Sequence, residues 1–247
     1  MWLFPKNIDL TAYKAVFSDK QIFLGYRNSL AYAAVGTFIS VMLTMMLAFP
    51  LSRKEFYGRK VITTFVLITM LVKGGIIPTY LVVRNVGIYN TFWAMIIPNA
   101  IFVYNVIIAR TFLKSNIPND LYNAAQIDGC NDIRFFFQMV LPLSGAIIAV
   151  LSLFYAVALW NKYFDALLYL QKQKLYPLQI ILRNILIVNN QAGASMITDV
   201  DLAARQQGLS VTIRYCVIVV ASAPLLLIYP FVQKFFVTGV MIGSVKE

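Results

Sequence analysis

Few residues of this 247-residue chain have the types and spacing that catalysis requires. The sequence contains no histidine, which excludes histidine general acid–base catalysis, Ser-His triads and histidine metal sites. Its two cysteines, Cys130 and Cys216, lie in different settings without pairing or metal-ligand spacing, so both are predicted to be free thiols. With no acid pair in an apolar stretch and no serine beside a base, a membrane enzyme is disfavoured. We expect no catalytic residue, metal or cofactor in this chain.

Polar residues inside apolar stretches remain as candidates for a functional site. Asn99, Tyr104 and Asn105 share one such stretch with Pro98, where they could line a solute pathway or form hydrogen bonds between helices. Lys73 lies near the middle of another stretch, where a charge costs about 2.5–3.5 kcal/mol and usually faces a cavity or a partner. We therefore expect Lys73 to face a translocation pathway and to favour an anionic solute.

The elements that carry these residues are apolar stretches long enough to cross a bilayer. The sequence is 60% hydrophobic, and its mean hydropathy is +0.73. About 20 apolar residues cross the hydrocarbon core, and five stretches qualify, at residues 28–50, 61–83, 91–113, 141–160 and 212–235. The fold is therefore predicted to be all-α, a polytopic membrane helix bundle in which residues 1–247 form a single transmembrane domain.

Charge sets the predicted orientation. The short segment "RKEFYGRK", residues 53–60, carries four basic residues, against a single Arg84 in the opposing turn, so it is predicted to be cytoplasmic. Residues 114–140 then form a cytoplasmic loop, and residues 161–211 lie outside with a short interfacial or re-entrant helix, "YPLQIILRNILIV". The net charge of +11 is spread over many loops, which indicates contact with membrane lipid rather than with nucleic acid.

The segment "NAAQIDGCNDIRFFFQMVLP", residues 123–142, is patterned more than a connector requires. We predict a helix over 119–127 with Pro118 in its first turn, and then a turn at Asp128-Gly129. Asn131 or Asp132 caps a second short helix that carries aromatic residues. Such a pair could fit a groove on a partner, or it could simply cover the membrane surface.

The sequence resembles a known family at this segment. Residues 117–143 are similar to the EAA motif of ABC importer permeases, Glu-Ala-Ala, three residues, Gly, and then Ile/Val-x-Leu-Pro. The segments "NSLAYAAVGT", "GGIIPTYLVV", "LWNKYFDALLYL" and "YPFVQKFFVTGVMIGSVK" resemble the carbohydrate-uptake, maltose-importer-like family, and within it the LplC/YtcP-like branch. The resemblance covers nearly the whole chain.

This resemblance implies a type I ABC importer permease in the bacterial cytoplasmic membrane, with six spans where five are visible here. It implies a second related permease, two cytoplasmic ATPase subunits that bind ATP and Mg, and an extracytoplasmic sugar-binding protein. The chain itself has no G-x-x-x-x-G-K-[ST] phosphate loop. Because six spans are expected, a further helix is expected upstream of residue 1. The positions that match the ATPase-coupling motif are Asn123, Ala124, Ala125, Asp128 and Gly129.

The resemblance also implies the function, import of an oligosaccharide, which Lys73 would make an acidic one such as a uronate-containing chain. An ABC importer for a non-sugar solute is the alternative, and the absence of acids in the five stretches disfavours an ion-coupled transporter. The resemblance also implies that Trp160, Asn161 and Tyr163 contact sugar or binding protein at the pathway mouth, whereas the residues themselves strongly favour an aromatic belt. Asn123 replaces the usual Glu, which removes a charge contact to the ATPase.

Overall fold

A computed structural model describes residues 13, 20–72, 74–192, 212, 215, 216, 218–224 and 226. All regular secondary structure in these residues is helical. The α-helices are α1 Lys20–Ser52, α2 Arg59–Leu71, α3 Ile76–Asn85, α4 Val103–Asn116, α5 Asn119–Ile127, α6 Asp132–Phe135, α7 Leu141–Leu143, α8 Gly145–Trp160, α9 Tyr163–Tyr169 and α10 Leu178–Ala192. Short 3₁₀ turns occupy Phe92–Met95, Ile97–Asn99 and Gln173–Leu175, and a π turn occupies Phe136–Val140.

Within the described residues, α1 is the one unbroken helix long and apolar enough to cross a membrane. Three helix pairs qualify together but are bent, namely α2 with α3 by 115°, residues 92–99 with α4 by 58°, and residues 132–143 with α8 by 83°. If each pair is one span, four spans result, and they overlap the first four predicted stretches. The fifth stretch, 212–235, lies mostly outside the described residues.

Two of the bends occur at residues that cannot continue a helix. α3 is preceded by Gly75 at φ +85°, and Gly75 is the last residue of the Lys73-Gly74-Gly75 sequence that predicts a break. Residues 91–113 were expected to form one span, but the continuous helix begins only at Val103. Pro98 lies in the 3₁₀ turn before it, and a proline has no backbone N–H to donate to a helical ladder.

Helix α1 is the centre of the bundle and packs against α8, α4 and α10. At Gly25 an added Cβ would lie 3.0 Å from the Cα of Leu178, so glycine is what allows α10 to approach α1 this closely. Polar groups also join these helices. The Thr44 hydroxyl and the Tyr155 hydroxyl lie 2.6 Å apart, and the backbone N–H of Phe102 donates to the same Tyr155 oxygen at 3.1 Å. One buried tyrosine thus connects α1, α8 and the start of α4.

The two ends of α1 meet different parts of the chain. Near its first turns, the Asn28 amide donates to the carbonyls of Lys174 and Tyr176 at 2.8 and 3.0 Å. The Tyr32 hydroxyl donates to the carbonyl of Leu175 at 2.9 Å. Its last turns belong to a separate buried cluster that includes Phe49, Ala125 and Phe135. The α5–α6 segment is therefore packed on one end of α1, and the segment before α10 is packed at the other.

Candidate functional site

The α5–α6 segment forms two short helices around a glycine turn. Helix α5 has the predicted bounds, but Pro118 is extended and lies just before the helix rather than in its first turn. Gly129 takes a left-handed φ of +76°. The backbone N–H of Cys130 returns to the carbonyl of Ala125 at 2.9 Å, which closes the end of α5. The Asn131 side chain accepts the backbone N–H of Arg134 at 2.8 Å and so caps α6, as the sequence predicts.

This segment has one anchored face and one exposed face. Ala125 is 7% exposed, Phe135 is 1% exposed, and both pack in the cluster around the end of α1. On the outer face, Ile127 and Ile133 are 87% and 72% exposed. Ile127 and Ile133 are therefore accessible to a partner that covers this segment.

The predicted coupling residues divide between these two faces. The exposed ones are Asn123, Ala124, Asp128 and Gly129. Ala125 is buried, so the neighbouring motif residues Ala124 and Ala125 do not share one surface. The physical reason is that consecutive residues of an α-helix, at 3.6 residues per turn, point about 100° apart.

Arg53 joins this segment to the end of α1. Its side chain is 5% exposed, and its guanidinium carbon lies 5.3 Å from the ring centroid of Phe49, 5.2 Å from Tyr122 and 5.8 Å from Phe135. It also donates two long hydrogen bonds, to the Ile117 carbonyl at 3.5 Å and to the Asn119 Oδ1 at 3.4 Å. Aromatic faces attract a guanidinium at such distances.

Two further arginines close the end of α1. The Arg110 Nε of α4 donates to the carbonyl of Leu51 at 2.9 Å, and Arg59 at the start of α2 donates to the carbonyl of Arg53 at 3.1 Å. Cations at a helix C-terminus satisfy its free carbonyls and oppose the helix dipole. Sequence reasoning treated Arg53 and Arg59 only as signals of orientation and did not find this role.

Tyr122 connects α5 to α6 by its hydroxyl. The hydroxyl donates to Asp132 Oδ1 at 2.6 Å and accepts from Gln126 Nε2 at 2.7 Å. The hydrogen bond to the Asp132 carboxylate raises the pKa of Tyr122 to about 12, because it favours the protonated phenol. The phenol therefore stays protonated at neutral pH and keeps the two helices linked.

A groove of about 310 Å³ opens beside the segment. The buried Arg53 and Tyr57, which is 98% exposed, both line it. The other lining residues are Phe49, Pro50, Glu55, Phe56, Tyr122 and Asp132. The groove is large enough to receive a side chain of a partner that covers α5.

At the other end of the bundle, Asn99 is part of a charged network. Its amide donates to Asp165 Oδ2 at 3.0 Å, and the Lys162 ammonium lies 3.3 Å from the same oxygen. Lys162 also donates to the carbonyl of Met95 at 3.1 Å. Burial lowers the pKa of Lys162, and the Asp165 carboxylate raises it by less. The network ties the broken segment before α4 to α9.

The remaining candidates that the structure describes differ in burial and in hydrogen-bond partners. Asn105 and Trp160 are each 3% exposed, and the Trp160 indole donates to the carbonyl of Ala221 at 3.1 Å. Tyr104 is 60% exposed, whereas the exposed Asn161 donates to the Val157 carbonyl of its own helix at 3.0 Å. Tyr163 is 45% exposed, and Lys73 lies outside the described residues.

The described residues contain no group of three or more side chains suited to a metal ion. Cys130 is half-buried and Cys216 is buried, and both are free thiols as predicted.

Comparisons with known proteins identify the family. The chain is 43% identical over 244 residues to the polygalacturonan/rhamnogalacturonan transport system permease protein YtcP of Bacillus subtilis strain 168, a match that covers 99% of this chain and 84% of YtcP. It is 40% identical over 245 residues to the protein LplC of the same strain, with 99% and 81% covered. The chain belongs to the sugar ABC importer permeases. No family model matches it.

A solved structure supports the same assignment for the permease. A chain of a bacterial ABC transporter that imports the acidic polysaccharide alginate superimposes with a TM-score of 0.82 at 28% identity, covering 96% of the permease and 82% of that chain. The predicted all-α permease fold and the predicted family are therefore confirmed. The permease is a transport subunit of a membrane complex and not itself an enzyme.

Proposed function

We propose that this permease imports an acidic oligosaccharide, such as a uronate-containing chain, across the bacterial cytoplasmic membrane. The observation that carries the proposal is the similarity to two importers of related cargo. YtcP is named for polygalacturonan and rhamnogalacturonan transport, and the structural relative imports the acidic polysaccharide alginate. Lys73 lies inside an apolar stretch that contains no Asp or Glu to pair with it, which agrees with an anionic cargo.

The transport reaction requires partner chains. We propose a second related permease that completes the pathway, two cytoplasmic ATPase subunits that bind ATP and Mg, and an extracytoplasmic protein that delivers the sugar. A permease with the six-span plan would use α1, the three bent helix pairs as one span each, the 212–235 stretch and a further helix.

The α5–α6 segment is the proposed docking site for one ATPase, within a cytoplasmic loop over 114–140. Its exposed residues support this role, because they include Ile127 and Ile133 together with Asn123, Ala124 and Gly129. The inner face, with Ala125 and Phe135, is fixed to α1. A force applied by the ATPase to this segment would therefore reach the membrane-spanning helices.

The substrate is tested by uptake into proteoliposomes that contain the full complex and its binding protein. We expect ATP-dependent uptake of an oligogalacturonate to exceed uptake of a neutral oligosaccharide of equal length. In Lys73→Met the acidic uptake falls about tenfold or more, because the attraction in a low-dielectric pathway is lost, and the neutral uptake stays unchanged.

The matched control is Lys60→Met, which removes an exposed charge next to the same apolar stretch, residues 61–83. Preferred uptake of the neutral sugar by the wild type would overturn the acidic cargo. Equal effects of Lys73→Met on both sugars would show that Lys73 does not select the charge of the cargo.

A further inference from the structure

Among the described residues, Arg53 is the charged side chain whose guanidinium contacts aromatic rings of α1, α5 and α6 together. Phe49 comes from α1, Tyr122 from α5 and Phe135 from α6, and all three rings lie within 6 Å of the guanidinium carbon. The same group reaches the α4–α5 junction through the Ile117 carbonyl. A displacement of any of these elements must therefore move Arg53 or break its contacts.

The burial of Arg53 is unusual for a side chain that has no ion pair with any other described residue. A guanidinium stays charged in proteins, and burying a charge is costly unless it is paired. Among the described residues, the Nε and Nη2 atoms of Arg53 have no hydrogen-bond partner. Burial lowers the pKa of the guanidinium, and the charge of Glu55 raises it. Three aromatic faces in place of water are the main compensation for this charge.

Contacts of this kind can hold two elements together while they move. Cation–π attraction persists while the guanidinium stays over a ring face within about 6 Å, so small shifts of the rings retain it. The hydrogen bonds of Arg53 are long, 3.4 and 3.5 Å, and add little rigidity. The elements at this junction can therefore shift slightly against each other while they stay in contact through Arg53.

Helix α1 extends from the Arg53 junction to the opposite end of the bundle. Its 33 residues span roughly 50 Å at 1.5 Å per residue. Toward the far end, the Asn28 amide donates to the segment before α10, and the Ser29 hydroxyl accepts the backbone N–H of Leu178, the first residue of α10. A movement transmitted to the Arg53 end of α1 is thus communicated to the opposite end of the bundle.

We infer that Arg53 is the positioning residue that transmits movement of the α5–α6 segment to α1. The inference rests on the proposed function of that segment as the ATPase docking site. It gives a specific role to a residue of the basic 53–60 loop, beyond orienting the chain in the membrane.

The test is the number of oligosaccharides transported per ATP hydrolysed, measured in the reconstituted complex at equal amounts of assembled ATPase. Arg53→Met, which keeps length and removes the charge, is expected to lower this ratio about tenfold because the desolvated cation–π contacts are lost. Arg53→Lys restores a cation over the rings and is expected to recover most of the ratio. The exposed neighbour provides the matched control, Lys54→Met, which is expected to behave as wild type.

A second pair of variants decides the outcome if Arg53→Met fails to assemble. Tyr122→Phe keeps the ring over Arg53 and removes the hydroxyl that bonds Asp132, whereas Tyr122→Leu removes the ring. We expect Tyr122→Leu to lower the ratio well below that of Tyr122→Phe, because only Tyr122→Leu removes the ring. Equal loss in both variants would overturn the inference, since the hydroxyl rather than the ring would carry the link.

The inference and the proposed function fail in different ways. If Arg53→Met assembles and transports with the wild-type ratio, Arg53 does not transmit movement, while the proposed function stands. If the wild type transports a different solute, the cargo is wrong, and the same ratio measured with that solute still decides the role of Arg53. If the wild type shows no ATP-driven transport, both are wrong.

Discussion

Single residues of the α5–α6 segment show which features local chemistry determines. Gly129 has φ +76°, and a Cβ added there would meet nothing within 4 Å. A side chain at this position therefore does not clash with the permease itself. Its costs are about 1 kcal/mol or more of left-handed backbone strain and a collision with whatever docks on the segment.

Gly129→Leu is accordingly expected to abolish uptake while leaving the permease folded. Gly129→Asn is the matched variant, because asparagine tolerates left-handed angles and has a smaller side chain. We expect it to retain most of the uptake. The measurements are ATP-dependent uptake and stimulation of ATP hydrolysis by loaded binding protein. Normal stimulation and uptake in Gly129→Leu would show that no partner covers this turn.

The sequence predicts the turn at Gly129 and the Asn131 cap because both depend on neighbours within four residues. It does not predict the Arg53 site, whose members come from segments far apart in the chain. Nor does it predict the link between Tyr122 and Asp132, since two short helices must first fold against α1. Asn105 and Trp160 could not be told from pathway residues by sequence, because burial depends on packing.

The observed helix bounds agree with the sequence-based prediction where a local signal begins or ends a helix. The bounds of α5 agree with prediction, and the break before α3 coincides with Gly74-Gly75. The late start of α4 was missed because the hydropathy of residues 91–113 conceals the effect of Pro98. Such breaks need another element to stabilise them, and the network of Asn99, Lys162 and Asp165 does so at the other end of the bundle.

Removing one charge of this network should destabilise the permease more than removing both. The side chains of Lys162 and Asp165 are 10% and 20% exposed, so Asp165→Ala leaves a largely buried ammonium unpaired. Fully buried pairs lose 3–5 kcal/mol in such cases, and the partial exposure here reduces the expected loss to about 2 kcal/mol. The double variant Lys162→Met/Asp165→Ala is expected to regain much of it.

Thermal unfolding in detergent can be followed with a thiol-reactive dye, because Cys216 is 2% exposed and becomes reactive on unfolding. Asp120→Asn, which changes an exposed carboxylate of α5, serves as the control. A double variant no more stable than Asp165→Ala would contradict the interpretation that the unpaired charge is what destabilises.

At the scale of the whole molecule, apolar stretches and the EAA-like motif were sufficient to predict an all-α permease of the carbohydrate-uptake family. The relatives and the solved alginate importer confirm that prediction. The number of membrane spans cannot be predicted from the sequence in the same way. Hydropathy measures length and composition, whereas three of the four candidates here are bent by 58° to 115°.

The central claim is that the α5–α6 segment receives an ATPase and that the opposite end of α1 does not. The direct measurement is photo-crosslinking in the assembled, transporting complex, with benzoylphenylalanine in place of Asn123 in one variant and of Tyr163 in another. Both positions are exposed, and they lie at opposite ends of α1. We predict a crosslink to the ATPase from position 123 and none from position 163. An ATPase crosslink from position 163, or none from position 123 in an active complex, would contradict the account.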